Sequence, residues 1–356
     1  MKTFTYEALP GRVVFGAGSL ARIGAELDTL SLAPALVLST PGKRNLAERV
    51  ADLLGPRTAG IFDGAVMHVP TEAAKAGAAA ARAAGAACSI AIGGGSTIGL
   101  AKAIALETGL PAMAIPTTYS GSEMTPIWGL TAGGVKQTGR DPRVLPRLVI
   151  YDPDLLATLP PEIIGPSGVN ALAHCCEALY APDANPIVSL MAAEGIRALF
   201  RSLQTAVADP TNAEARAEAL YGAYLGGAAL GSVAMGLHHK LCHALGGRFN
   251  LPHAPLHTVI LPYAMAYNLP GAKDAMTRAA AAMGLAAPEA VPAALLSLNH
   301  AIGAKTSLAA LDMPEAGLAE AADLATRNTY PNPRPVTRDG VRELLEKAFY
   351  GRDPMA

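Results

Sequence analysis

The stretch IAIGGGSTIGLAKA (residues 90–103) decides the fold. It joins an apolar run, typical of a buried strand, to a helical stretch through three consecutive glycines. Glycines at such a junction allow a sharp turn and a close approach of the backbone to a ligand, and the positive end of the helix favours a pyrophosphate. The stretch is not the G-x-G-x-x-G fingerprint, so an ordinary tight turn is the alternative interpretation. The predicted pyrophosphate contacts are Gly93, Gly94, Gly95, Ser96 and Thr97.

The same alternation of apolar and helical runs extends over the first 150 residues or so. Strands and helices that alternate at this spacing predict an α/β domain with a doubly wound parallel sheet, whose ligands bind beyond the carboxyl ends of the strands. The runs are ALVLST (35–40), RNLAERVADLLG (44–55), AGIFDG (59–64), TEAAKAGAAAARAAG (71–85), GLAKAIALETG (99–109) and AMAIPTT (112–118).

Helical patterns dominate from DPDLLATLPPEII (152–164) onward. Long amphipathic stretches such as PIVSLMAAEGIRALFRSL and VRELLEKAFYG predict an all-α C-terminal domain. We therefore expect a dinucleotide-binding α/β domain over residues 1–155 and a helical substrate-binding and catalytic domain over residues 156–356. The active site is expected in the cleft between them.

The composition favours a well-buried enzyme that acts on a small molecule. Of the 356 residues, 51% are hydrophobic and 16% are charged, and the formal net charge is −1. This balance, without any lysine or arginine run, gives no reason to expect nucleic acid or a membrane as partner. The spacing of Cys88, Cys175, Cys176 and Cys242 fits neither a disulfide framework nor a thiolate metal site. With no apolar signal-peptide region at the N-terminus, we expect a cytoplasmic protein.

A hydroxyl-rich segment, IPTTYSGSEMT, ends the strand that follows the glycine run. Neutral hydroxyls bind ribose, amide or phosphate oxygens, although such loops also form turns and helix caps. Thr40 ends the strand ALVLST, and no carboxylate follows it that would repel a 2′-phosphate, so NADPH is not strongly rejected and the expected cofactor is NADH or NADPH. Lys136 is predicted to approach the cofactor ribose, and a solvated hairpin explains it equally well. The hydroxyl-bearing candidates are Thr117, Thr118, Tyr119, Ser120 and Ser122.

Five of the eight histidines fall in one segment, GLHHKLCHALGGRFNLPHAPLH. His239 and His243 are four residues apart and therefore share one face of a helix, and His253 follows on a loop. In the earlier helical stretch GVNALAHCCEAL, Asn170 and His174 are also four apart. Two helices that each present such a pair, with a further group on a loop, can converge on one cavity.

These motifs together resemble the iron-containing alcohol dehydrogenase superfamily, whose relatives include glycerol dehydrogenase and dehydroquinate synthase. The resemblance rests on GGGS…AKA, PTT…GSE, GxNALxH and HHKxxHxxGGxFxLPH in this order, and it extends nearly from end to end. The strings PTTYSGSEMTPIWGLT, KQTGRDPRVLPRLVIYDP, GVNALAHCCEALYAPDANP, GLHHKLCHALGG and NPRPVTR are most similar to the maleylacetate reductase branch. The resemblance implies a dehydroquinate synthase-like fold and a homodimer.

The resemblance also identifies the positions where the superfamily holds a divalent metal, with one aspartate and three histidines. Those positions are Asn170, His174, His239 and His253 here. Because an amide oxygen is neutral and binds a hard cation more weakly than a carboxylate does, we expect no obligatory metal. The alternative is that Asn170 still ligates and that a metal remains on the three imidazoles.

The activity that the resemblance implies is the NADH- or NADPH-dependent reduction of maleylacetate to 3-oxoadipate, and reduction of chloromaleylacetate, during degradation of aromatic compounds. Hydride addition to this dianionic enone places negative charge on the conjugated ketone, which imidazole and ammonium donors stabilise. We assign His243 as the proton donor and Lys240 to a substrate carboxylate. His174, His239 and His253 are assigned to binding or polarising the substrate.

Two other functions remain open on the same scaffold. A metal-dependent alcohol or polyol dehydrogenase is one, and Asn170 disfavours it. A lyase-type relative with tightly held NAD, like dehydroquinate synthase, is the other, and it would give no net oxidation of the nicotinamide. For His238, His257 and Arg334, a structural role is favoured over contact with the substrate.

Overall fold

The computed structural model describes residues 3–8, 11–133 and 135–356, without the side chains of Val135 and Lys136. The chain divides into two compact units. The first is the α/β unit, Ala8–Leu159, and the second is the helical unit, which combines Pro160–Ala356 with residues 3–7.

The boundary between the units differs slightly from the expected division at residue 155. Residues 156–159 group with the α/β unit, and Asp152, which lies shortly before them in the chain, is hydrogen-bonded within that unit. The two oxygens of Asp152 accept the backbone N–H groups of Gly18 and Leu20, both at 3.0 Å. The same carboxylate also caps the short 3-10 helix Pro153–Leu156 that follows.

The α/β unit contains eight strands and four α-helices within its described residues. The strands are β1 (Arg12–Phe15), β2 (Ala35–Leu38), β3 (Thr58–Phe62), β4 (Cys88–Gly93), β5 (Ala112–Pro116), β6 (Ile127–Ala132), β7 (Val135–Arg140) and β8 (Leu148–Tyr151). The helices are α1 (Ile23–Leu30), α2 (Arg44–Leu54), α3 (Thr71–Ala83) and α4 (Gly95–Thr108).

Six strands form one sheet in the order β1-β8-β5-β4-β2-β3, and every neighbouring pair is parallel. All residues of β2, β4 and β5 are buried, as expected when helices cover both faces of a parallel sheet. The doubly wound sheet predicted from the sequence is thereby confirmed. β6 and β7 form a separate antiparallel hairpin.

The helical unit has nine α-helices among its described residues. They are α5 (Pro161–Tyr180), α6 (Pro186–Ala208), α7 (Ala213–Ser232), α8 (Leu237–Phe249), α9 (His253–Asn268), α10 (Lys273–Met283), α11 (Val291–Ala301), α12 (Leu318–Thr326) and α13 (Arg338–Tyr350). The described residues after Tyr151 contain no strand, and the all-α prediction for this half is confirmed.

Close packing of α5, α6 and α7 depends on glycines. A Cβ at Gly226 would meet the carbonyl oxygen of Ala171 at 2.6 Å, and one at Gly195 would meet Sγ of Cys175 at 2.6 Å. Because real Cβ atoms do not approach so closely, only glycine allows the helices to pack at this distance. The result is that α5 is buried from Ile164 to Leu179.

None of the described helices is, by itself, long and apolar enough to cross a membrane. Two bent pairs satisfy the length and composition criteria when taken together, Ala213–Ser232 with Leu237–Phe249 and Lys273–Met283 with Pro288–Ala301.

Candidate active site

The turn between β4 and α4 brings the backbone close to neighbouring side chains. Gly93 has φ of +151°, and a Cβ there would meet Oγ1 of Thr97 at 2.5 Å. A Cβ at Gly94 would meet Cγ2 of Thr118 at 3.1 Å. At Gly95, which is exposed, a Cβ would meet no atom within 4 Å. The glycines therefore shape the turn at two positions and expose bare backbone at the third, where a helix begins.

The predicted nucleotide loops lie at one edge of the sheet. β2, β4 and β5 are adjacent and parallel, so their carboxyl ends meet there, and the backbone N–H of Thr117 donates to the carbonyl of Gly93 at 3.0 Å. Thr97, Thr117 and Tyr119 are buried, and the side chain of Lys136 lies outside the described residues. The half-buried hydroxyl candidates are Thr40, Ser96, Thr118, Ser120 and Ser122.

A buried lysine, which the sequence analysis did not single out, supports these loops. Lys102 lies on α4 with 1% of its side chain exposed. Its Nζ donates to the carbonyl oxygens of Ser122, Thr125 and Ile127 at 2.7, 2.8 and 2.7 Å, and it also contacts the hydroxyls of Ser122 and Thr125 at 3.3 and 3.0 Å. Burial lowers the pKa of Lys102 to about 7, and the nearby Glu123 opposes this shift.

Glu123 accompanies Lys102 as a second buried ionisable group, with no exposed surface. Its carboxylate accepts the hydroxyl of Tyr151 at 2.9 Å and that of Ser120 at 3.3 Å. Burial raises the pKa of Glu123, and these hydrogen bonds oppose the rise. A lone lysine within an apolar helix was the signal in the sequence that could have identified this arrangement.

Replacement of Lys102 by methionine is expected to lower the free energy of unfolding by about 3–5 kcal/mol, because it removes the cationic member of a buried polar group. The KM for the nicotinamide cofactor should rise, since the hydroxyl-rich loop loses its support. Chemical denaturation and steady-state kinetics measure the two effects. Lys75→Met, at an exposed lysine of α3, is the matched control. Equal stability of the two variants would contradict the prediction.

Six imidazoles meet in the helical unit, and neighbouring ring centroids lie 4.1 to 6.4 Å apart. The neighbouring pairs are His174–His239 (5.1 Å), His238–His239 (5.2 Å), His238–His257 (4.8 Å), His239–His257 (4.8 Å), His239–His243 (6.4 Å), His243–His253 (6.4 Å) and His253–His257 (4.1 Å). This set is called the histidine cluster below.

Three helices contribute to the histidine cluster. His174 comes from α5, one turn after Asn170, and α8 supplies three of the rings. His253 is the first residue of α9, whereas the sequence analysis placed it on a loop. His257 follows one turn later and is fully buried, as is His238. The two histidines that were given a structural role are therefore central to the cluster.

Burial keeps the inner rings of the cluster neutral. It lowers the pKa of His238 to about 4 and those of His174, His239 and His257 well below the usual value, and a proton on any one ring would lower the pKa of its neighbours further. Nδ1 of His174, Nε2 of His239 and both ring nitrogens of His257 have no hydrogen-bond partner within the described part of the chain. The inner rings therefore present buried lone pairs or N–H groups to a ligand.

Glu177 is the second functional candidate that the sequence analysis missed. It lies on α5, three residues after His174, and it is fully buried. Its carboxylate accepts the backbone N–H groups of His238 and His239 and hydrogen-bonds Nδ1 of the His239 ring. The spacing of seven residues from Asn170 places Glu177 on the same face of α5, and this was the available signal.

Lys240 and Arg334, the two basic residues considered for contact with the substrate, each lie near an aromatic ring. Lys240 is exposed on α8, with Nζ 5.9 Å from the ring centroid of Tyr330. The guanidinium of Arg334 lies 4.3 Å from the ring centroid of Tyr267 and donates to its carbonyl at 3.2 Å. Arg334 therefore has a packing role in this structure, whereas the ammonium of Lys240 remains accessible to solvent.

Family models match both halves of the chain. One is described as iron-containing alcohol dehydrogenase and matches residues 10–153, and the other as Fe-containing alcohol dehydrogenase family, C-terminal, over residues 165–349. The chain belongs to the iron-containing alcohol dehydrogenase family.

Within this family, the chain is similar to proteins named maleylacetate reductase. It is 56% identical to the one from Burkholderia cepacia over 354 residues, which cover 99% of this chain and 100% of that protein. It is 54% identical to the one from Sphingobium indicum over 352 residues, 99% of both chains. The crystal structure of maleylacetate reductase from Agrobacterium tumefaciens superposes with a TM-score of 0.96 at 48% identity, over 99% of this chain and 100% of that one.

The family name implies a bound metal, and the donor set here fits one only partly. His239 has a carboxylate on Nδ1 and a buried Nε2 without a partner among the described residues, which is the usual arrangement of a metal-ligating histidine. However, the position that the resemblance assigns to the family's aspartate carries the neutral amide of Asn170. Three imidazoles and a neutral amide are a weaker donor set for a divalent cation than one that includes a carboxylate.

A second group of donors lies nearby, in His238, His239 and His257, whose nearest ring nitrogens all lie within 4.8 Å of one another. Nε2 of His238 donates to the carbonyl of His257 at 3.0 Å, and Nδ1 of His239 is hydrogen-bonded to Glu177. These hydrogen bonds occupy one nitrogen of His238 and one of His239, whereas Nε2 of His239 and both nitrogens of His257 have no partner among the described residues. The trio forms part of the histidine cluster.

Proposed function

We propose that the chain reduces maleylacetate to 3-oxoadipate, and also reduces chloromaleylacetate, with NADH or NADPH in the degradation of aromatic compounds. The observation that supports it most strongly is the buried cluster of neutral imidazoles, with an ammonium on the same helix and an amide in place of the family's aspartate. Full-length relatives at 54–56% identity are named for this reaction. The small substrate would be bound as a dianion by the helical unit.

The α/β unit would bind the nucleotide. Its pyrophosphate would lie on the bare backbone at Gly95 and the N-terminus of α4, with neutral hydroxyls around the rest of the nucleotide. At the end of β2, Arg44 already bonds Glu48 and Asp63, at 3.0 and 2.8 Å, while Lys43 is exposed. An exposed lysine near a ribose tolerates a 2′-phosphate, so we propose that both nucleotides are accepted.

The reaction begins when hydride leaves the reduced nicotinamide and forms a C–H bond at the alkene carbon β to the ketone. The carbon–carbon π electrons shift to give an enolate, and NAD(P)H becomes NAD(P)⁺. His243 then delivers a proton to the α carbon, which completes 3-oxoadipate. Lys240 would hold a substrate carboxylate, and His174 and His253 would donate to the enolate oxygen.

This reaction does not require a metal at the histidine cluster. Charge develops on an enolate that is already flanked by N–H donors, so a Lewis acid adds less than it does at an unconjugated carbonyl. We therefore propose that no metal is obligatory. We also propose a homodimer, on the strength of the family resemblance.

The decisive experiment follows the absorbance of reduced nicotinamide with purified protein, maleylacetate and either NADH or NADPH, before and after EDTA treatment. We expect rapid oxidation of both nucleotides that is insensitive to EDTA, in protein without stoichiometric metal by elemental analysis. Activity lost to EDTA and restored by a divalent cation would instead indicate the metal-dependent alcohol or polyol dehydrogenase. Binding of NAD without net oxidation would indicate a lyase.

Replacement of Lys240 by alanine is expected to raise the KM for maleylacetate about 10-fold or more, because a charge-assisted hydrogen bond to a carboxylate contributes roughly 1.5–3 kcal/mol. The KM for NADH should stay near its wild-type value. Steady-state kinetics at saturating NADH measure the effect, and Lys240→Arg is expected to recover part of the loss. An unchanged KM for maleylacetate would show that Lys240 does not contact the substrate.

A further inference from the structure

The carboxylate of Glu177 meets the first turn of α8 from a different helix. Oε1 accepts the backbone N–H of His238 at 3.0 Å, and Oε2 accepts that of His239 at 3.3 Å. The hydroxyl of Tyr180 donates to Oε1 at 3.4 Å. Oε2 is also hydrogen-bonded to Nδ1 of the His239 ring. One side chain thus caps a helix and holds an imidazole of the histidine cluster at the same time.

We propose that Glu177 is a positioning residue that fixes His239 in the tautomer with its proton on Nδ1. Nε2 of His239 then offers a lone pair, which accepts a hydrogen bond but cannot donate one. The catalytic consequence of this arrangement rests on the function proposed above, whereas the tautomer itself does not.

The surroundings of Glu177 favour a carboxylate that accepts over a carboxylic acid that donates. Burial raises the pKa of Glu177, and the backbone N–H groups of His238 and His239 oppose that rise. Nε2 of His238 donates to the carbonyl of His257, so Nδ1 of this neutral ring presents a lone pair, which lies 3.4 Å from Nδ1 of His239. A lone pair that faces Nδ1 of His239 favours the proton at that nitrogen. The polar contacts named above come from N–H and O–H donors, and hydrogen bonds to an ionised acceptor are about twice as strong as neutral ones. The N-terminus of α8 adds a favourable partial positive charge. An ionised Glu177 leaves Nδ1 of His239 as the donor.

Nε2 of His239 is buried and has no partner among the described residues. The ring centroids of His174 and His257 lie 5.1 and 4.8 Å from that of His239. A lone pair at this position can orient an N–H donor of the cluster, but it cannot stabilise an enolate oxygen. The donors to the enolate must therefore come from other groups, and Glu177 acts on the reaction through the alignment that His239 imposes.

The variant Glu177→Gln tests the tautomer of His239 while it keeps the hydrogen bond that caps α8 at His238. The amide oxygen of glutamine still accepts the backbone N–H of His238, while its NH₂ group takes the place of Oε2, donates to Nδ1 of His239 and moves the ring proton to Nε2. The longer hydrogen bond from the backbone N–H of His239 is lost. We expect a melting temperature a few degrees below that of the wild type, an inverted His239 tautomer in long-range ¹H–¹⁵N correlation spectra, and kcat lowered about 10–100-fold, as is usual when the partner of a functional histidine is lost. The KM for NADH should not change.

Tyr180→Phe is the matched control, because it removes one donor to Glu177 and leaves the carboxylate in place. It should retain the wild-type tautomer and a kcat within about threefold of wild type, less than the 1.4 kcal/mol that a factor of ten represents. A proton on Nε2 in the wild-type spectrum, or an unchanged tautomer in Glu177→Gln, would overturn the proposal. So would an inverted tautomer with wild-type kcat.

The wild-type spectrum alone decides the tautomer even where the glutamine variant does not fold. It also decides the tautomer where the wild-type protein shows no activity on maleylacetate. In that case the function would fail while the assignment of the His239 proton stands.

Discussion

Replacement of His243 by alanine is expected to lower kcat for maleylacetate reduction by about 10²–10⁴-fold, the usual contribution of a group that transfers a proton in the transition state. His243 is exposed on α8, and its ring lies 6.4 Å from those of His239 and His253. The buried rings are neutral because burial lowers their pKa. An exposed imidazole can regain a proton from water after each turnover, so His243 is the best-placed donor.

Steady-state kinetics with saturating NADH measure this effect, and the KM for NADH should stay near the wild-type value. His300→Ala is the matched control, because His300 is an exposed histidine at the end of α11 that takes no part in the cluster. It should turn over substrate at the wild-type rate. Near wild-type kcat in His243→Ala would show that a different group donates the proton.

Replacement of Asn170 by aspartate is expected to create a protein that binds one divalent cation with an affinity about 10³-fold higher than that of the wild type. Two unit charges 4 Å apart attract by about 4 kcal/mol at an effective dielectric constant of 20, and the double charge of the cation raises this to about 8 kcal/mol. Desolvation of the carboxylate offsets roughly half of the gain, and each 1.4 kcal/mol that remains is a factor of ten in affinity. The side chain is 4% exposed, so water screens the new charge only slightly. Elemental analysis after incubation with Zn²⁺ and chelator competition measure the change.

Metal-free Asn170→Asp should also unfold at a lower temperature than the wild type, because it buries a carboxylate without a matching cation. Added Zn²⁺ should restore the melting temperature. Asn170→Ala, which adds no charge, should show no gain in metal binding. Failure of the aspartate variant to bind metal would show that residue 170 is not directed at the metal position that the family resemblance implies.

The α/β unit was predictable because its signals are local. An apolar run, three glycines and a helical stretch in residues 90–103 define a strand, a turn and a helix through contacts between near neighbours in the chain. Because the neighbouring runs repeat this alternation of strand and helix, the parallel sheet was also predictable. The grouping of residues 3–7 with the helical unit was not predictable, because it depends on contacts with residues far along the chain.

The site was only partly predictable because helical spacing gives the face of a residue but not what covers it. His239 and His243 were identified as one face of α8, and their rings do lie near each other. The same spacing could not show that His238 is buried against α9, where it donates to the carbonyl of His257. Glu177 contacts backbone groups that are 61 and 62 residues away, and no local pattern encodes such a contact.

Five oxygens surround Nζ of Lys102, and this arrangement preorganises the hydroxyl-rich loop. The hydrogen bonds from Nζ hold Ser122, Thr125 and Ile127 in position before any ligand binds. Ordering a mobile side chain on binding costs about 0.5–1.5 kcal/mol, whereas the side chains of a preorganised loop are already ordered in the folded protein. If the nucleotide binds at this loop as proposed, it loses less of its binding energy to conformational entropy, and neutral hydroxyls suffice to hold it without a cluster of charges.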